Sequence, residues 1–361
     1  MKFSVPVFFD HKYIDAIKDE HLPVHAVYGS HAYSLVGSGR CGMMLPKVTD
    51  KAFDDMVSYT RQNDIDFYYT YNSSELVLKE YTPDFYADFM TDVDKRIKAG
   101  VNGFSIAIPL LLDWIKRDYP DVKVYVSSFA RIRTVAMAKY WHDLGANTIY
   151  LEEANRDFQL IHALAREGYD IEVLVNESCI WDCPYRGWHF NTNSMASQIG
   201  STMNVFPLPM LYCGVDVLND PLKWFTGEWI RPEDLAYYEQ NGVENFKLSG
   251  RQQSMEHLLN KIRVYASRKY DGNLLDIVST RIPERLSGEL AEKFKPLKTA
   301  YIDNNAFPDD FIQQKSRREC GRISCEKCGY CKTVADKVMT INGRPLGEYI
   351  SPHVVVPVMG I

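Results

Sequence analysis

The fold is decided by a stretch that reads Gly103-Phe-Ser-Ile-Ala-Ile-Pro-Leu-Leu-Leu-Asp-Trp-Ile-Lys-Arg-Asp-Tyr-Pro-Asp-Val-Lys-Val-Tyr-Val-Ser127. Two apolar, strand-like runs, Gly103–Ile108 and Lys123–Ser127, flank a helical pattern over Pro109–Tyr119 that stops before a proline. Nearly continuous apolar and aromatic runs are typical of strands that are covered on both faces. A strand, a helix and a second strand in this order predict a βαβ unit of a parallel sheet.

The same alternation extends in both directions along the chain. Helical patterns at Phe85–Ala99, Ile132–Leu144 and Phe158–Glu167 each end at a glycine, the residue expected just past a helix. Eight strand-like runs over about 250 residues match the size of a (β/α)8 barrel, and we predict a TIM-like α/β barrel. An open doubly wound sheet is the alternative, although no G-x-G-x-x-G motif follows the first strand. Besides the two runs above, the strand-like runs are Lys2–Phe9, Ala26–Gly29, Asp66–Thr70, Thr148–Leu151, Ile171–Val175 and Asn245–Leu248.

The pattern changes after the last of these strands. Met255–Tyr270 is a strongly amphipathic helical pattern, and a less regular segment follows it to about Pro308. We predict a barrel over residues 1–280 and a cysteine-rich C-terminal extension over residues 281–361. From Pro308 onward this extension has the character of an appendage to the barrel and not of a second globular domain.

Composition and charge set the broad class of the protein. Hydrophobic residues make up 46% and charged residues 24% of the 361 residues, which is typical of a globular protein with ample core-forming material. The net charge of −6 argues against nucleic acid or an anionic membrane as the partner. No apolar run approaches the roughly 20 residues that cross a bilayer, and the first nine residues are too short for a signal peptide. We therefore expect a cytoplasmic protein with reduced thiols, in which metal binding explains clustered cysteines better than disulfides do.

Four cysteines in the extension form the strongest motif of the chain. Cys320, Cys325, Cys328 and Cys331 follow a C-x4-C-x2-C-x2-C pattern, which supplies four ligands within one short segment. The C-x2-C-x2-C core is similar to a ferredoxin cluster-binding run, and three closely spaced cysteines suit a 4Fe-4S cubane. Structural zinc is the alternative, because zinc sites with four cysteines also use C-x2-C pairs.

The other four cysteines are predicted to form a second site at the rim of the barrel. Cys179 and Cys183 follow the strand-like run Ile171–Val175, and the reactive face of such a barrel lies at the carboxyl ends of its strands. Cys213 follows the apolar stretch 204–211, and Cys41 lies in a loop after an early strand. A small buried apolar side chain is the alternative role for Cys213 and Cys41.

Several ordered motifs resemble one known family. The segments that carry the resemblance are Val126–Thr134, Tyr140–Glu153, Val175–Arg186, Trp229–Leu235 and Phe246-Lys-Leu-Ser-Gly-Arg251. Together they resemble the collagenase-like peptidases of family U32 over about residues 1–280. The resemblance implies a TIM-like barrel with a 4Fe-4S cluster on cysteines that follow the later strands.

The resemblance also bears on function. Members that are similar to this chain include proteins of oxygen-independent ubiquinone ring hydroxylation and of tRNA or rRNA hydroxylation. In the ubiquinone branch an early cysteine joins the ligand set, and Val27-Tyr-Gly-Ser30 followed by Cys41 is similar to that arrangement. The peptidase-type pattern E-x-F-x-x-G-x-x-C is absent here, which argues against a peptidase. The Cys320 group lies outside the shared core and indicates a second centre.

We therefore predict an iron–sulfur redox enzyme that hydroxylates, or otherwise modifies by a redox reaction, a small organic metabolite. An electron donor or partner subunit is a possible further component. Two 4Fe-4S clusters are expected, with zinc as the alternative at the tail. The competing functions are an RNA-base modification factor and a non-catalytic partner subunit that carries a cluster.

The candidate catalytic residues follow the predicted strands. Glu153, at the end of a strand, is the candidate general acid or base, with Glu152 and Glu177 behind it. Arg131, Lys247 and Arg251 are predicted to position an anionic or carbonyl-bearing substrate. For each of these cations, a salt bridge within the rim is the alternative role.

Overall fold

A closed barrel of eight parallel strands forms the centre of the protein. The computed structural model describes residues 1–201, 208–279 and 288–356. Each strand pairs with the next in chain order, and the last strand pairs with the first at Lys2 and Asn245, which closes the barrel. The predicted (β/α)8 barrel is therefore confirmed, and the open doubly wound sheet is excluded. The barrel strands are β1 Lys2–Pro6, β2 Val24–Gly29, β3 Asp66–Tyr71, β4 Gly103–Ile106, β5 Lys123–Val126, β6 Thr148–Leu151, β7 Asp170–Leu174 and β8 Asn245–Lys247.

The side chains of alternate strand residues face two different environments. On β3, Phe67 and Tyr69 belong to the large apolar core that includes the surrounding helices. Tyr68 lies between them in sequence and packs instead with Tyr28 and Tyr125 in a separate small cluster. Successive side chains of a strand point to opposite faces, so this second set faces the barrel interior. The interior is thus lined by hydroxyl and charged groups as well as apolar ones.

Helices cover the outside of the barrel and largely follow the predicted pattern. α5 begins at Val135, later than expected, because the Thr134 side chain accepts a hydrogen bond from the Met137 backbone N–H and caps the helix there. No helix in the described ranges is long and apolar enough to span a membrane. The helices are α1 His11–Asp19, α2 Asp50–Gln62, α3 Phe85–Ala99, α4 Pro109–Asp118, α5 Val135–Asp143, α6 Phe158–Arg166, α7 Arg186–Met195, α8 Leu208–Asn219, α9 Leu222–Phe225, α10 Leu235–Gln240, α11 Met255–Ser267, α12 Leu274–Ile277, α13 Gly288–Phe294, α14 Phe311–Ser316, α15 Cys325–Cys328 and α16 Tyr330–Val338.

The C-terminal extension packs against the barrel through aromatic side chains. The Phe311 ring stacks on Trp229 with centroids 6.1 Å apart, and the Phe307 ring stacks on Phe225 at 5.5 Å. All four of these rings are buried. The extension also holds a small antiparallel sheet of β9 Tyr301–Ile302, β10 Met339–Ile341 and β11 Arg344–Pro345, in the order β11-β10-β9. The predicted division at residue 280 falls on residues 280–287, which lie outside the described ranges, so it stays a prediction.

The first prediction concerns the close approach of β4 and β5. A Cβ atom at Gly103 would lie 2.5 Å from the backbone oxygen of Lys123 on the neighbouring strand. Gly103→Ala should therefore force the two strands apart and lower the free energy of unfolding by about 1–3 kcal/mol. Chemical denaturation measures this loss. In the control Gly321→Ala the new methyl group meets no atom within 4 Å, so stability should change by less than about 0.5 kcal/mol. Equal stability of the two variants would contradict the close approach.

Candidate active site and metal centres

A cleft of about 710 Å³ opens at the carboxyl ends of the barrel strands, and we refer to it as the barrel mouth. Its lining includes Tyr28 on β2, Thr70 on β3, Tyr150 on β6 and Lys247 on β8. Strand ends at this face carry the active sites of TIM-barrel enzymes. The predicted residues Glu177, Lys247 and Arg251 all line this cleft, as does Cys179.

The charged groups of the barrel mouth are partly paired. Glu177 accepts hydrogen bonds from Arg40 Nη2 at 3.1 Å and from the Ser249 hydroxyl at 2.5 Å. Lys247 Nζ lies 3.6 Å from Glu172 and above the rings of Tyr28 and Tyr150, with centroids 4.2 and 4.8 Å away. Burial lowers the pKa of Lys247, and the charge of Glu172 acts in the opposite direction.

Arg251 is the third predicted cation of the mouth. Its Nη1 lies 3.4 Å from the Thr70 hydroxyl, at the long end of hydrogen-bond distances. Burial and the nearby charge of Arg40 lower the pKa of Arg251 to about 10. Thr70 belongs to β3 and Arg251 follows β8, so this contact joins elements that are distant in sequence.

A buried ionic cluster lies beside the mouth and centres on Arg186, the first residue of α7. Its guanidinium lies 2.8 Å from Glu152, 2.6 Å from Glu228 and 3.7 Å from Glu153. All four side chains are buried. Burial raises the pKa of Glu228 to about 8, with Arg186 acting in the opposite direction. Arg186 contacts three carboxyl groups and only Glu153 has a second cation, Arg131 at 3.0 Å. Protonation of Glu228 relieves this shortage of positive charge.

Cys179 adjoins this cluster. Its thiol sulfur and one carboxylate oxygen each of Glu152 and Glu228 all lie within 4.8 Å of one another. Among the described residues, no other set of three or more histidine, cysteine or acidic ligand atoms is so closely grouped. A thiol and two carboxylates are a feasible partial ligand set for a transition metal.

The remaining rim cysteines differ in their positions relative to the Arg186 cluster. Cys183 is affected by the charges of Arg186, Asp216 and Glu228, and burial raises its pKa. Cys213 lies within α8 and does not follow a strand, which corrects the position expected from the stretch 204–211; residues 202–207 lie outside the described ranges.

Cys41 lies at the other end of α7. Its thiol donates a weak hydrogen bond to the Ala196 carbonyl at 3.8 Å, whereas the Cys183 carbonyl accepts from the Arg186 backbone N–H at the start of the helix. The ten residues of α7 span about 15 Å. The described contacts therefore place Cys179 and Cys183 beside the Arg186 cluster. Cys213 and Cys41 stay predicted ligands.

The four tail cysteines surround the short helix α15. Cys325 and Cys328 are its first and last residues, Cys331 lies at the start of α16, and Cys320 precedes both helices. Burial raises the pKa of Cys325, and the thiols of Cys331, Cys320 and Cys328 raise it further. These thiols are thus near neighbours, as a shared metal group requires.

Two buried cations lie next to the tail thiols. The Lys315 side chain is 4% exposed, and its Nζ has no hydrogen-bond partner in the described structure. Burial lowers the pKa of Lys315 to about 8, Arg156 lowers it as well, and Cys331 and Cys320 raise it. Arg156 is held in place by the backbone carbonyls of Thr226, Gly227 and Trp229, to which its guanidinium donates.

A second cleft, of about 780 Å³, lies between the barrel rim and the tail. Glu153, Arg156, Trp181 and Cys320 are among its lining residues. Glu153 accepts from Arg131 Nε at 3.0 Å through one oxygen, and its other oxygen has no hydrogen-bond partner in the described structure. Three of the five predicted catalytic residues therefore line the barrel mouth, and Glu153 lines the second cleft. Arg131 lines neither cleft and contacts Glu153.

Four functional side chains were not assigned from the sequence: Arg186, Glu228, Arg156 and Lys315. The position of Lys315 could have been recognised from the sequence. It follows Phe311 and Ile312 by four and three residues, so it lies on the apolar face of α14. A lysine on a buried face requires a negatively charged neighbour. The other three have no comparable local signal, since their partners come from distant parts of the chain.

The second prediction tests the Arg186 cluster. Arg186→Leu would leave the buried Glu152 and Glu228 without their cation, while Glu153 keeps Arg131. The free energy of unfolding should therefore fall by about 3–5 kcal/mol in a denaturant titration. The control is Arg117→Leu, which removes an exposed pair with Asp113 and should cost about 0–1 kcal/mol. Replacing Glu228 by leucine in the Arg186→Leu background should recover part of the loss. Similar costs for Arg186→Leu and Arg117→Leu would show that the cluster is not needed for stability.

Comparisons with known proteins agree with this architecture. The model of peptidase family U32 matches residues 24–181. An uncharacterized protease of Methanocaldococcus jannaschii is 30% identical over 315 residues, which cover 85% of this chain and 86% of that protein. The solved structure of the U32 peptidase Mk0906 has a TM-score of 0.52 and 18% identity over 69% of this chain and 93% of that chain, a likeness that supports the barrel fold alone. From the family match and the extent of the archaeal relative, the chain belongs to peptidase family U32.

Proposed function

We propose that the protein is an iron–sulfur oxidoreductase that modifies a small organic substrate in the barrel mouth. Oxygen-independent hydroxylation, or a related redox reaction, is the proposed reaction class. The observation that carries the proposal is the position of the four tail thiols beside two buried cations, one of which has an amine without a partner. Peptidase activity is not part of the proposal, because the peptidase-type cysteine pattern is absent from this chain.

Charge balance supports a metal–thiolate group at the tail. Four thiolates carry four negative charges, and a bound zinc ion or oxidised 4Fe-4S core neutralises only two of them. The remaining dianion would be matched by Arg156 and Lys315, which border the thiols. Without a negatively charged group there, the buried Lys315 ammonium has only the rings of Trp229 and Phe311, at 5.8 and 5.6 Å, to offset its lost hydration. Cys320, Cys325, Cys328 and Cys331 are the proposed ligands.

The cysteine spacing in the sequence favours iron–sulfur over zinc. Three closely spaced cysteines in a C-x2-C-x2-C run suit a cubane, whereas zinc sites with four cysteines more often pair two separated C-x2-C hairpins. When bound, a cubane would supply one-electron transfer.

The rim thiols are proposed to hold a second group. Cys179 and Cys183 both border the Arg186 cluster, and Cys213 is the proposed third ligand. Cys41 is the proposed fourth ligand. The carboxylates of Glu152 and Glu228 next to Cys179 provide nearby hydrogen-bond acceptors or proton donors, which tune a bound metal group through its surroundings.

The acid–base role in the mouth falls to Glu152 in this proposal. Glu152 lines the barrel mouth together with Cys179, whereas Glu153 lines the second cleft. Arg186 contacts both carboxyl groups and so holds them in fixed positions. Glu152 would hold or release a proton at the substrate. The ion pair of Arg131 with Glu153 would fix the wall of the second cleft, which faces the tail.

The third prediction tests the role of Lys315 beside the tail thiols. Lys315→Met removes a buried positive charge, so it should favour the oxidised cluster and lower its midpoint potential. A unit charge about 6–8 Å from a cluster, at an effective dielectric constant of about 20, contributes about 2–3 kcal/mol, which corresponds to roughly 100 mV for one electron. A redox titration of the anaerobically purified protein, followed by electron paramagnetic resonance, measures the potential.

The matched control is Lys332→Met, next to Cys331. Lys332 is exposed and pairs with Asp336 at 2.6 Å, so water screens its charge and the potential should move far less. Equal shifts of the midpoint potential in the two variants would show that the buried charge of Lys315 has no special effect on the cluster. A protein whose tail holds zinc would give no redox signal that depends on these four cysteines, and the redox role of the tail would be refuted.

A further inference from the structure

We propose that the barrel mouth binds a small organic anion, with Arg251 as the residue that holds its carboxylate or phosphate group. This deepens the proposed function by naming a substrate class, and it rests on that function only for the claim that the ligand is the substrate. Arg40 and Lys247 are the neighbouring cations, and Thr70 is the neighbouring hydroxyl group.

The pairing of Arg251, which is partly exposed, is unlike that of the buried Arg186 and Arg231. Within the described residues, no carboxylate lies within 4 Å of its guanidinium, and its one side-chain hydrogen bond is the 3.4 Å contact with Thr70. By contrast, Arg231 lies 2.7 Å from Asp234, and Arg186 contacts three carboxyl groups. A guanidinium has five N–H donors in a fork that matches carboxylate and phosphate. Most of the donors of Arg251 thus remain available to a ligand.

The acidic groups of the mouth are already engaged. Glu177 contacts Arg40 and Ser249, and Glu152 contacts Arg186. Glu172 lies 3.6 Å from the Lys247 ammonium. The positive charge of Arg251 is therefore the one in the described lining that lacks a local counterpart. In a partly enclosed cleft, an uncompensated cation attracts an anion more strongly than it would in open water.

The walls of the cleft suit a small molecule with an unsaturated body. Aromatic rings of Tyr28, Tyr150 and Phe129 supply apolar surface. Asn72 donates to the Ser127 hydroxyl at 3.1 Å and accepts from the Gly39 backbone N–H at 2.9 Å, which fixes the polar part of the wall before any ligand arrives. A ligand held at Arg251 shares this cleft with Cys179 and Glu152.

The fourth prediction uses three probes on the full-length, anaerobically purified protein. Benzoate and phenyl phosphate carry the two candidate anionic groups, and benzyl alcohol is the neutral match. Isothermal titration should detect at least one of the anions and should show binding of benzyl alcohol at least tenfold weaker. The stronger of the two anions distinguishes carboxylate from phosphate recognition. Arg251→Gln should weaken anion binding at least tenfold, and Arg251→Lys should retain part of it because the charge remains without the fork.

The controls separate this inference from the proposed function. Arg117 is an exposed arginine of α4 that pairs with Asp113 and does not line the mouth, so Arg117→Gln should bind the anions as the unaltered protein does. Arg251→Gln should keep its iron content and melting temperature, since no described carboxylate depends on it. Anion binding that Arg251→Gln does not weaken, equal binding of benzyl alcohol, or no binding of either anion would overturn the inference. Anion binding in a protein without iron would refute the proposed redox function and leave the inference standing.

Discussion

The contacts of Arg186 with three buried carboxyl groups are the interaction around which both clefts are organised. Glu152 and Glu153 follow β6, Glu228 precedes a buried tryptophan, and Arg186 begins α7. A single guanidinium therefore ties the end of a barrel strand to two later segments. Glu152 lines the barrel mouth and Glu153 lines the second cleft, so the same cation fixes a wall of each. Since a buried charge requires a partner, these segments are constrained to meet at this point.

Charge is distributed unevenly on the two sides of this cluster. On the barrel side, acidic groups and Cys179 are closely packed, and Arg251 supplies the unmatched positive charge of the mouth. On the tail side, Arg156 and Lys315 border the four thiols. This arrangement is consistent with a negatively charged group at the tail and an anionic ligand in the mouth. Lys315 of the extension and Arg156 of the barrel both lie over the ring of Trp229. The two cations therefore also join the extension to the barrel.

The barrel could be predicted from the sequence because each strand and helix has its own local signal. The predicted strand Thr148–Leu151 and the predicted helix Phe85–Ala99 match the structure at both ends. Errors arose where local pattern competes with capping, as at the start of α5, or where an apolar helix resembles a strand, as before Cys213. The cysteine motif likewise indicates a metal group from spacing alone.

The candidate site was only partly accessible to the same reasoning. Glu177, Lys247 and Arg251 were expected near strand ends and do line the barrel mouth. The separation of Glu153 from them, and the contact of Lys315 with the tail site, depend on how distant segments pack. Ion pairs between such segments leave no periodic signal in the sequence, so their partners become known only from the three-dimensional structure.

The most direct test of the central claim is metal and acid-labile sulfide analysis of the anaerobically purified protein. It should be performed beside a variant in which Cys320, Cys325, Cys328 and Cys331 are all replaced by serine. We expect about eight iron and eight sulfide per chain in the unaltered protein and about four of each in the variant, if each thiol site holds one cubane. Zinc at the tail, or an iron content that the four substitutions leave unchanged, would contradict the account.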